Sequence, residues 1–455
     1  MRKKILCGCL LLPGILATIV LLVPGCFFLR GCAAPSDVPL LLDSKQRVVL
    51  YHGTNMCNYS KYAPDFLPWH TREDLTQLKD WGFNLVRYLV FWEAIEPEPG
   101  HYNKEYIAAT LERIGWLEEL GIDVLVDIHQ DLYSRPFTGD GFPEWTIDAD
   151  GYVFTHREPW NLNYAEPAVR AAYRNFWKSD YLRGKYIEMA TFLLEHIENC
   201  PNVIGLDMMN EPWPAPFLGF ERKTLTPFYT AIQKMKRERG FTTPLFFEPV
   251  IYTSTGYPSR LRFAPDKDAV YSVHYYDPFC HEGRSYTGFG KQLMRTGVHI
   301  KMKEAVNFGV PLLYSEFGIS PEVEGYNAFL DDILGLLRKH HISWTCYSFD
   351  KGTDSGFSLL EEDGSPRESL LKHYVSVYPQ RVAGRNLETV YENNRFTLTY
   401  DPIDTEAPTV IAIPKRFSQA TVTVNGVQIP FNPEQRRFEH QSNIAAGRQR
   451  IVIEW

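Results

Sequence analysis

The chain has 455 residues, of which 44% are hydrophobic and 22% are charged, and these values are ordinary for a packed globular protein. Its formal net charge is −8, so the composition gives no electrostatic basis for binding nucleic acid. The length is sufficient for one large domain and a smaller second domain.

The amino terminus differs in composition from the rest of the chain. Residues 1–4 carry three basic side chains, and residues 5–29 follow without a charge. We interpret residues 1–32 as a signal peptide or membrane anchor and leave them out of the fold prediction. Because Cys26 follows Val-Pro-Gly in loose likeness to a bacterial lipoprotein cleavage site, lipidation at Cys26 or Cys32 stays open beside simple secretion. Export to the cell envelope, with membrane association through this terminus, is the prediction.

Four cysteines lie outside this leader, at positions 57, 200, 280 and 346. They are far apart in the sequence, without a Cys-x-x-Cys pair or the spacing of a zinc site. We expect buried thiols or one disulfide, and we predict neither a metal nor another cofactor.

From residue 48 onward, apolar runs of strand length alternate with helical patterns. Eight strands are predicted, at 48–55, 85–91, 124–128, 203–209, 244–249, 269–275, 311–315 and 342–349. Six helices are predicted between them, at 71–81, 106–120, 181–197, 225–239, 292–308 and 326–340. This alternation predicts parallel βα units, and eight of them predict a (β/α)8 barrel over residues 33–380. A doubly wound open sheet is the alternative, disfavoured because no strand is followed by a glycine-rich phosphate loop.

Two long connections and a change of pattern complete the predicted organisation. The connections at 130–180 and 276–291 are rich in aromatic residues and are expected to shape a substrate site. Beyond residue 380 the pattern becomes one of short strands, at 387–391, 395–400, 409–413, 420–424 and 450–454, with hairpin turns at Asn393-Asn394 and Asn425-Gly426. We predict a small antiparallel β-sandwich over residues 381–455, which braces the barrel.

Polar side chains close or follow five of the eight predicted barrel strands. They are Arg87, His129, Asp131, Asn210, Glu211, His274, Tyr276 and Glu316. Because the carboxyl ends of the strands meet at one mouth of a barrel, these side chains are expected to converge there.

Two converging carboxylates are sufficient for cleavage of a glycosidic bond. In a retaining mechanism one carboxyl group protonates the leaving oxygen and the other attacks the anomeric carbon, with about 5–5.5 Å between them. Their environments must differ, because the acid needs a raised pKa and the nucleophile a lowered one. We expect Arg87 to hold Glu316 ionised through charge-assisted hydrogen bonds. Asn210 is suited to a sugar hydroxyl, and His274 and Tyr276 to tuning the two carboxyls.

Two of these strand ends resemble the signatures of a known family. Asn210-Glu211-Pro212 and Ser315-Glu316-Phe317-Gly318 are similar to the strand-four and strand-seven motifs of glycoside hydrolase family 5, a family of retaining barrels. Arg87, His129 and the His274-x-Tyr276 pair also fall where that family's pattern places them, and the likeness covers about residues 48–378. The resemblance implies that Glu211 is the acid/base and Glu316 the nucleophile.

A finer resemblance concerns the loops. The stretches 127–133, 140–145 and 274–278, and a β-sandwich after the barrel, resemble the endoglycoceramidase-like branch of the family. The resemblance implies a glycosphingolipid substrate, cleaved between sugar and ceramide, with Asp131 binding the sugar. At strand eight, where the family usually places a tryptophan under the sugar, the matching residue is Tyr347, and Trp344 is predicted to pack in the core.

Several alternatives remain open at this point. The same barrel can act on a polysaccharide such as a β-glucan or mannan, or as a steryl-β-glucosidase. A non-catalytic carbohydrate-binding envelope protein is disfavoured, because both carboxylates are present. Serine hydrolase and zinc protease motifs are missing, since the sequence has neither Gly-x-Ser-x-Gly nor His-Glu-x-x-His. The expected partner is a glycolipid or another β-glycoside, and a monomer is expected.

Overall fold

The structure is a computed structural model that describes residues 34–35, 37–215, 218–352, 356–442 and 444–455. The predicted leader therefore lies outside the described residues, and export and membrane attachment stay predictions. Among the described residues, none of the helices is long and apolar enough to cross a membrane.

Eight parallel strands form a closed barrel, which confirms the predicted fold class. The strands are β2 (His52–Met56), β3 (Leu85–Phe91), β4 (Asp123–His129), β5 (Val203–Asp207), β6 (Leu245–Phe247), β7 (Val270–Tyr275), β8 (Leu312–Phe317) and β9 (Ser343–Cys346). Pairing of His52 with Trp344 closes the ring between β2 and β9. Trp344 is 1% exposed, as expected for a core side chain. The strands are almost wholly buried, because their own side chains fill the interior of the barrel and helices cover its outer surface.

The helices lie around this barrel. They are α1 (Thr76–Asp80), α2 (Trp92–Ile95), α3 (Lys104–Glu119), α4 (Pro167–Lys178), α5 (Asp180–Ile197), α6 (Thr226–Arg239), α7 (Gly288–Phe308), α8 (Tyr326–Lys339) and α9 (Glu368–Tyr374). Asn103 caps α3 by accepting a hydrogen bond from the Tyr106 amide, which satisfies a free donor in the first turn. Helix α4 lies within the long connection that was predicted to be a loop. It begins with Pro167, a residue favoured in the first turn of a helix, and buries Phe176.

The first predicted strand was wrong in its extent. Residues 48–55 divide into β1 (Val48–Val49), which pairs with β10 (Tyr378–Val382), and barrel strand β2. Two apolar stretches follow each other here without a turn signal, so hydrophobicity alone does not show that they enter different sheets.

The described residues also form an antiparallel sandwich of nine strands, one from before the barrel and eight from after it. Besides β1 and β10 it contains β11 (Gly384–Glu392), β12 (Arg395–Pro402), β13 (Thr409–Ala412), β14 (Thr421–Val424), β15 (Val427–Ile429), β16 (Arg437–His440) and β17 (Gln449–Glu454). One sheet has the order β1-β10-β13-β16 and the other β11-β12-β17-β14-β15. Both predicted hairpin turns are confirmed, and Asn393 and Asn394 have φ values of 44° and 57°, as a type I′ turn requires.

The sandwich contacts the barrel on the face opposite the carboxyl ends of the strands. Arg381 forms an ion pair of 2.7 Å with Asp123, the first residue of β4. Tyr378 donates a hydrogen bond of 2.8 Å to the Gly82 carbonyl, just before β3. Bracing of the barrel from its amino-terminal face is therefore the role these contacts support, and the mouth of the barrel is left to its own loops.

Cys57, Cys200, Cys280 and Cys346 are free thiols. In the described chain no disulfide joins them; Cys57, Cys280 and Cys346 are buried thiols, as expected, whereas Cys200 is only half-buried. Burial raises the pKa of the Cys346 thiol to about 12, so this group is an unreactive core residue.

Candidate active site

Glu211 and Glu316 converge on one histidine at the mouth of the barrel. Nδ1 of His274 lies 2.8 Å from Oε1 of Glu211 and 2.8 Å from Oε2 of Glu316. One carboxylate oxygen of each glutamate and one ring nitrogen of His274 lie within 4.8 Å of one another. This proximity fits two carboxyl groups that act on opposite sides of a single sugar–oxygen bond, in the spacing of a retaining site.

The backbone holds Glu211 in an unusual conformation. Its φ is +39°, in the left-handed region that residues with a side chain seldom adopt. The Glu211 amide donates a hydrogen bond of 2.8 Å to Oε2 of Glu248, and its carbonyl accepts one of 3.0 Å from Nε2 of Gln130. These two bonds fix the turn after β5 and direct the Glu211 side chain toward His274. Strained backbone of this kind is common at functional sites.

Electrostatics separate the two carboxyl groups. Burial raises the pKa of Glu211 to about 7, and the negative charge of Glu316 contributes to that increase against the opposing effect of His274. Burial acts against ionisation of Glu316 too, but contact with the His274 imidazolium and the charge of Arg87 outweigh it and lower its pKa to about 2. At a pH between these values Glu211 carries a proton and Glu316 does not, as the acid and the nucleophile require.

His274 is the cation on which this difference depends. Burial disfavours its charged form, but the Glu248 and Glu316 carboxylates raise its pKa well above the ordinary value. Its second nitrogen, Nε2, lies 3.1 Å from Oε1 of Glu248. Both ring nitrogens of His274 therefore face carboxyl groups, and the prediction that this residue tunes the two carboxyls is supported by these contacts.

Arg87 does not contact Glu316, contrary to the hydrogen bond expected from the sequence. Its Nη2 lies 2.8 Å from Glu248, 2.9 Å from Asp127 and 3.3 Å from Asp207. The same atom donates a hydrogen bond of 3.1 Å to Oδ1 of Asn210. The guanidinium is held in the barrel interior by these partners, and its effect on Glu316 is a Coulombic one from beneath the site.

Among the described residues, two clusters of carboxyl and imidazole groups have the geometry to accept a metal ion. In the first, Asp127, Asp207 and Glu248, the Arg87 guanidinium already supplies the positive charge by contacting all three. In the second, Glu211, His274 and Glu316, a protonated His274 supplies it. The chain's own cations therefore account for both clusters.

A second polar group lies beside the carboxylates, at the end of β4. His129 is 2.7 Å from Asp127 through Nδ1, and its Nε2 is 3.6 Å from Asp131. Asp131 also receives the Lys61 ammonium at 2.7 Å and a hydrogen bond of 2.8 Å from the Tyr164 hydroxyl. Burial would raise the pKa of Asp131, but Lys61 and His129 lower it below the usual range, so this carboxylate stays ionised. It offers a charged acceptor for sugar hydroxyls.

The remaining predicted residues also lie at this mouth. Asn210 accepts from Arg87 and donates a hydrogen bond of 3.1 Å to the Gln130 carbonyl, which leaves one amide hydrogen for a ligand. Tyr347 is 6% exposed and donates a hydrogen bond of 2.6 Å to Asn58. Its ring centroid is 5.5 Å from Nζ of Lys61. Burial raises the pKa of Tyr276, and the nearby Glu316 carboxylate adds to this effect. Sugar binding by Asn210 and Tyr347 stays a prediction.

Four residues of the site escaped the sequence analysis: Lys61, Asp127, Asp207 and Glu248. Glu248 had the signal that identified the others, because it directly follows the strand Leu245–Phe247. Asp127 and Asp207 are within strands, where an acidic residue in a buried run indicates a hidden cation. Lys61 ends a short 3₁₀ helix after β2 (Asn58–Lys61), and nothing in its sequence context marks it.

Comparison with known proteins agrees with this geometry. The model of the Cellulase family, described as glycosyl hydrolase family 5, matches residues 42–352. Endoglycoceramidase I of Rhodococcus hoagii is 27% identical over 440 residues, which cover 88% of this chain and 84% of that protein.

Solved structures of a further relative cover nearly the whole fold. Endo-glycoceramidase II from Rhodococcus sp. in complex with ganglioside GM3 superposes with a TM-score of 0.84 at 26% identity, covering 92% of this chain and 99% of that one. Its lactosyl-enzyme intermediate superposes with a TM-score of 0.82 at 26% identity, over 91% of this chain and 99% of that one.

Proposed function

The chain belongs to glycosyl hydrolase family 5, and we propose that within this family it is a retaining β-glycosidase that cleaves the bond between the sugar and the lipid of glycosphingolipids. The observation that carries the proposal is the contact of Glu211 and Glu316 with the same His274 nitrogen, at 2.8 Å each. This arrangement places a proton donor and an ionised nucleophile at the same glycosidic bond of the substrate.

The first half of the reaction uses both carboxyl groups. A Glu316 oxygen attacks the anomeric carbon, and the bond from that carbon to the lipid oxygen breaks. Glu211 gives its proton to the departing oxygen, so the lipid leaves as a neutral alcohol. The sugar is then bound to Glu316 as an ester.

The second half returns the enzyme to its starting state. Esterification removes the negative charge of Glu316, which is one cause of the raised Glu211 pKa. Glu211, now with a lower pKa, accepts a proton from water, and the resulting hydroxide attacks the anomeric carbon and releases Glu316 as carboxylate. The sugar is released with its original configuration.

The lining of the mouth supports a substrate with a polar and an apolar part. On one side are the charged Lys61 and Asp131, with Asn58 bonded to Tyr347. On the other, the Phe357 ring centroid lies 6.1 Å from that of Tyr276. Phe357 and Tyr276 line a small cavity together with Asp277, Cys280, His281 and Ile319. The two aromatic rings give this partly polar cavity an apolar side, which is suited to the apolar part of a glycolipid. The relatives named for endoglycoceramidase activity favour the same substrate class.

The pH dependence of kcat/KM follows from the two carboxyl pKa values. Activity requires Glu211 protonated and Glu316 ionised, so the rate should fall about tenfold per pH unit above about pH 7 and persist in acid until pH approaches 2 or the protein unfolds. A pH–rate profile of the purified enzyme measures this. Activity that rises steadily from pH 7 to pH 9 would contradict the assignment of Glu211 as the acid.

Incubation with three substrates tests the proposed specificity. The purified enzyme is given glucosylceramide, a glycosphingolipid with a longer glycan, and a β-glucan, and the products are identified by mass spectrometry. We expect free ceramide from at least one glycolipid, with an intact oligosaccharide if the action is endo and glucose if it is glucosylceramidase-like. Sugar released only from the glucan would overturn the lipid proposal, and no hydrolysis of any β-glycoside would overturn the catalytic one.

A further inference from the structure

Glu248 connects three parts of the active site through one carboxylate. It follows β6 and is 2% exposed. Its Oε1 lies 2.8 Å from Nη2 of Arg87 and 3.1 Å from Nε2 of His274. Its Oε2 accepts the hydrogen bond of 2.8 Å from the Glu211 amide. A group that only neutralised Arg87 would not need the other two contacts.

We infer that Glu248 is a positioning residue that acts on both catalytic carboxyl groups, through the ring of His274 and through the backbone of Glu211. The inference rests on the proposed function for its catalytic meaning. Its structural part concerns the protonation of His274 and is testable without turnover.

The contact with His274 controls which nitrogens carry a proton. A neutral imidazole has one N–H, so with Glu248 at Nε2 and two carboxyl groups at Nδ1, one side would face a lone pair. Only the imidazolium carries a proton on both ring nitrogens, and its charge suits the ion pair of 3.1 Å between Nε2 and Oε1 of Glu248. Glu248 thus favours the cation, and the Nδ1–H then meets Glu211 and Glu316 at 2.8 Å each.

Other ionisable groups surround Glu248, and one of them, Asp207, provides a control variant. They are Arg87 from β3, Asp127 from β4, Asp207 from β5, and His274 from β7, with Glu211 and Glu316 beyond the His274 ring. From α6, the Tyr229 hydroxyl donates to the Glu248 carbonyl at 2.9 Å. Asp207 is a suitable match for Glu248 because its carboxyl group also accepts a hydrogen bond from Arg87. Its other hydrogen bond comes from Ser272 and not from His274 or the Glu211 amide. Burial and the charge of Glu248 raise the pKa of Asp207 well above the ordinary value, so asparagine is a close substitute.

The second contact stabilises the catalytic backbone. The Glu211 N–H would otherwise be a buried donor at a residue whose φ is +39°. A carboxylate acceptor at 2.8 Å makes this bond a charge-assisted one. Glutamine at 248 keeps an oxygen acceptor for this amide but removes the charge, so the Glu248→Gln variant separates the effect on His274 from the effect on the backbone.

The test compares Glu248→Gln with Glu248→Asp, Asp207→Asn and the parent protein. pH–rate profiles are recorded with an aryl β-glycoside, and the 15N shifts of His274 are recorded against pH by NMR. In Glu248→Gln we expect a neutral His274 at pH 7 and an acid limb displaced upward by about one pH unit or more, because Glu316 loses its cationic partner. Asp207→Asn should leave the His274 shifts as in the parent, and Glu248→Asp should lie between the parent and Glu248→Gln in both measurements.

Two results would overturn the inference. One is a folded Glu248→Gln with the parent's pH limbs and a protonated His274, which would reduce Glu248 to a structural group. The other is a neutral His274 in the parent protein at pH 7, a result that does not depend on the folding of any variant. Failure of the proposed function would instead appear as a lack of hydrolysis with the His274 shifts still responding to Glu248.

Discussion

Replacing Glu316 with glutamine is expected to lower kcat by at least about 10⁴-fold, because the amide has no charge with which to attack the anomeric carbon. The fold should persist, since glutamine has the same shape and Glu316 is only 5% exposed among packed neighbours. Steady-state kinetics with an aryl β-glycoside and a circular dichroism spectrum measure the two parts of this prediction.

A lower melting temperature at neutral pH should accompany the loss of activity. The Glu316 pKa is lowered from 4.5 to about 2 in the folded chain, so its ionised form stabilises the fold above about pH 4.5, and this contribution disappears as the pH falls toward 2. Glutamine removes the contribution at every pH. The difference in melting temperature between parent and variant should therefore narrow in acid.

Glu322→Gln is the matched control for this substitution. Glu322 is an exposed residue in the loop that follows β8, six positions after Glu316. The same chemical change there should leave kcat and the melting temperature unaltered. A folded Glu316→Gln with parental activity would remove this residue from the mechanism.

The second large effect is expected for Glu211→Ala, and it should depend on the leaving group. Removing the general acid is expected to slow cleavage of a glycolipid about 10³-fold, because a lipid alcohol leaves only when it is protonated. Dinitrophenolate is a leaving group that needs no proton. The rate at which a dinitrophenyl glycoside forms the glycosyl-enzyme should therefore be much less affected by the substitution. Pre-steady-state release of dinitrophenol measures that step.

Azide provides a further check on Glu211→Ala. A small anion can occupy the space of the missing side chain and attack the glycosyl-enzyme without a general base. We expect added azide to raise turnover and to yield a β-glycosyl azide. Equal losses on the glycolipid and the dinitrophenyl glycoside, with no response to azide, would contradict the role of Glu211.

Much of this site was predictable from the sequence because strand ends in a barrel converge whatever the loops do. Glu211 and Glu316 are far apart in the chain, yet each closes an apolar run, and that pattern alone places them at one mouth. The fold class followed from the same alternation of strands and helices.

The contacts inside the barrel were less predictable. The sequence suggested that Arg87 binds Glu316, because these are opposite charges at strand ends. In the structure Arg87 is surrounded by Asp127, Asp207 and Glu248, and His274 takes the place expected for Arg87. An arginine inside a barrel pairs with the carboxylates that lie at the same level along the barrel axis. That level depends on the register between parallel strands, which is set by packing rather than by a local sequence signal. The sequence analysis did not identify Lys61 for a similar reason, because its partner Asp131 is 70 residues away in the chain.

The anomeric configuration of the first sugar released tests the central claim most directly. Hydrolysis of an aryl β-glycoside is followed by 1H NMR from the first seconds, before mutarotation mixes the anomers. Two carboxyl groups whose nearest oxygens lie within 4.8 Å predict double displacement, and hence the β anomer first. Appearance of the α anomer first would mean a single displacement by water, and Glu316 could not then be the nucleophile.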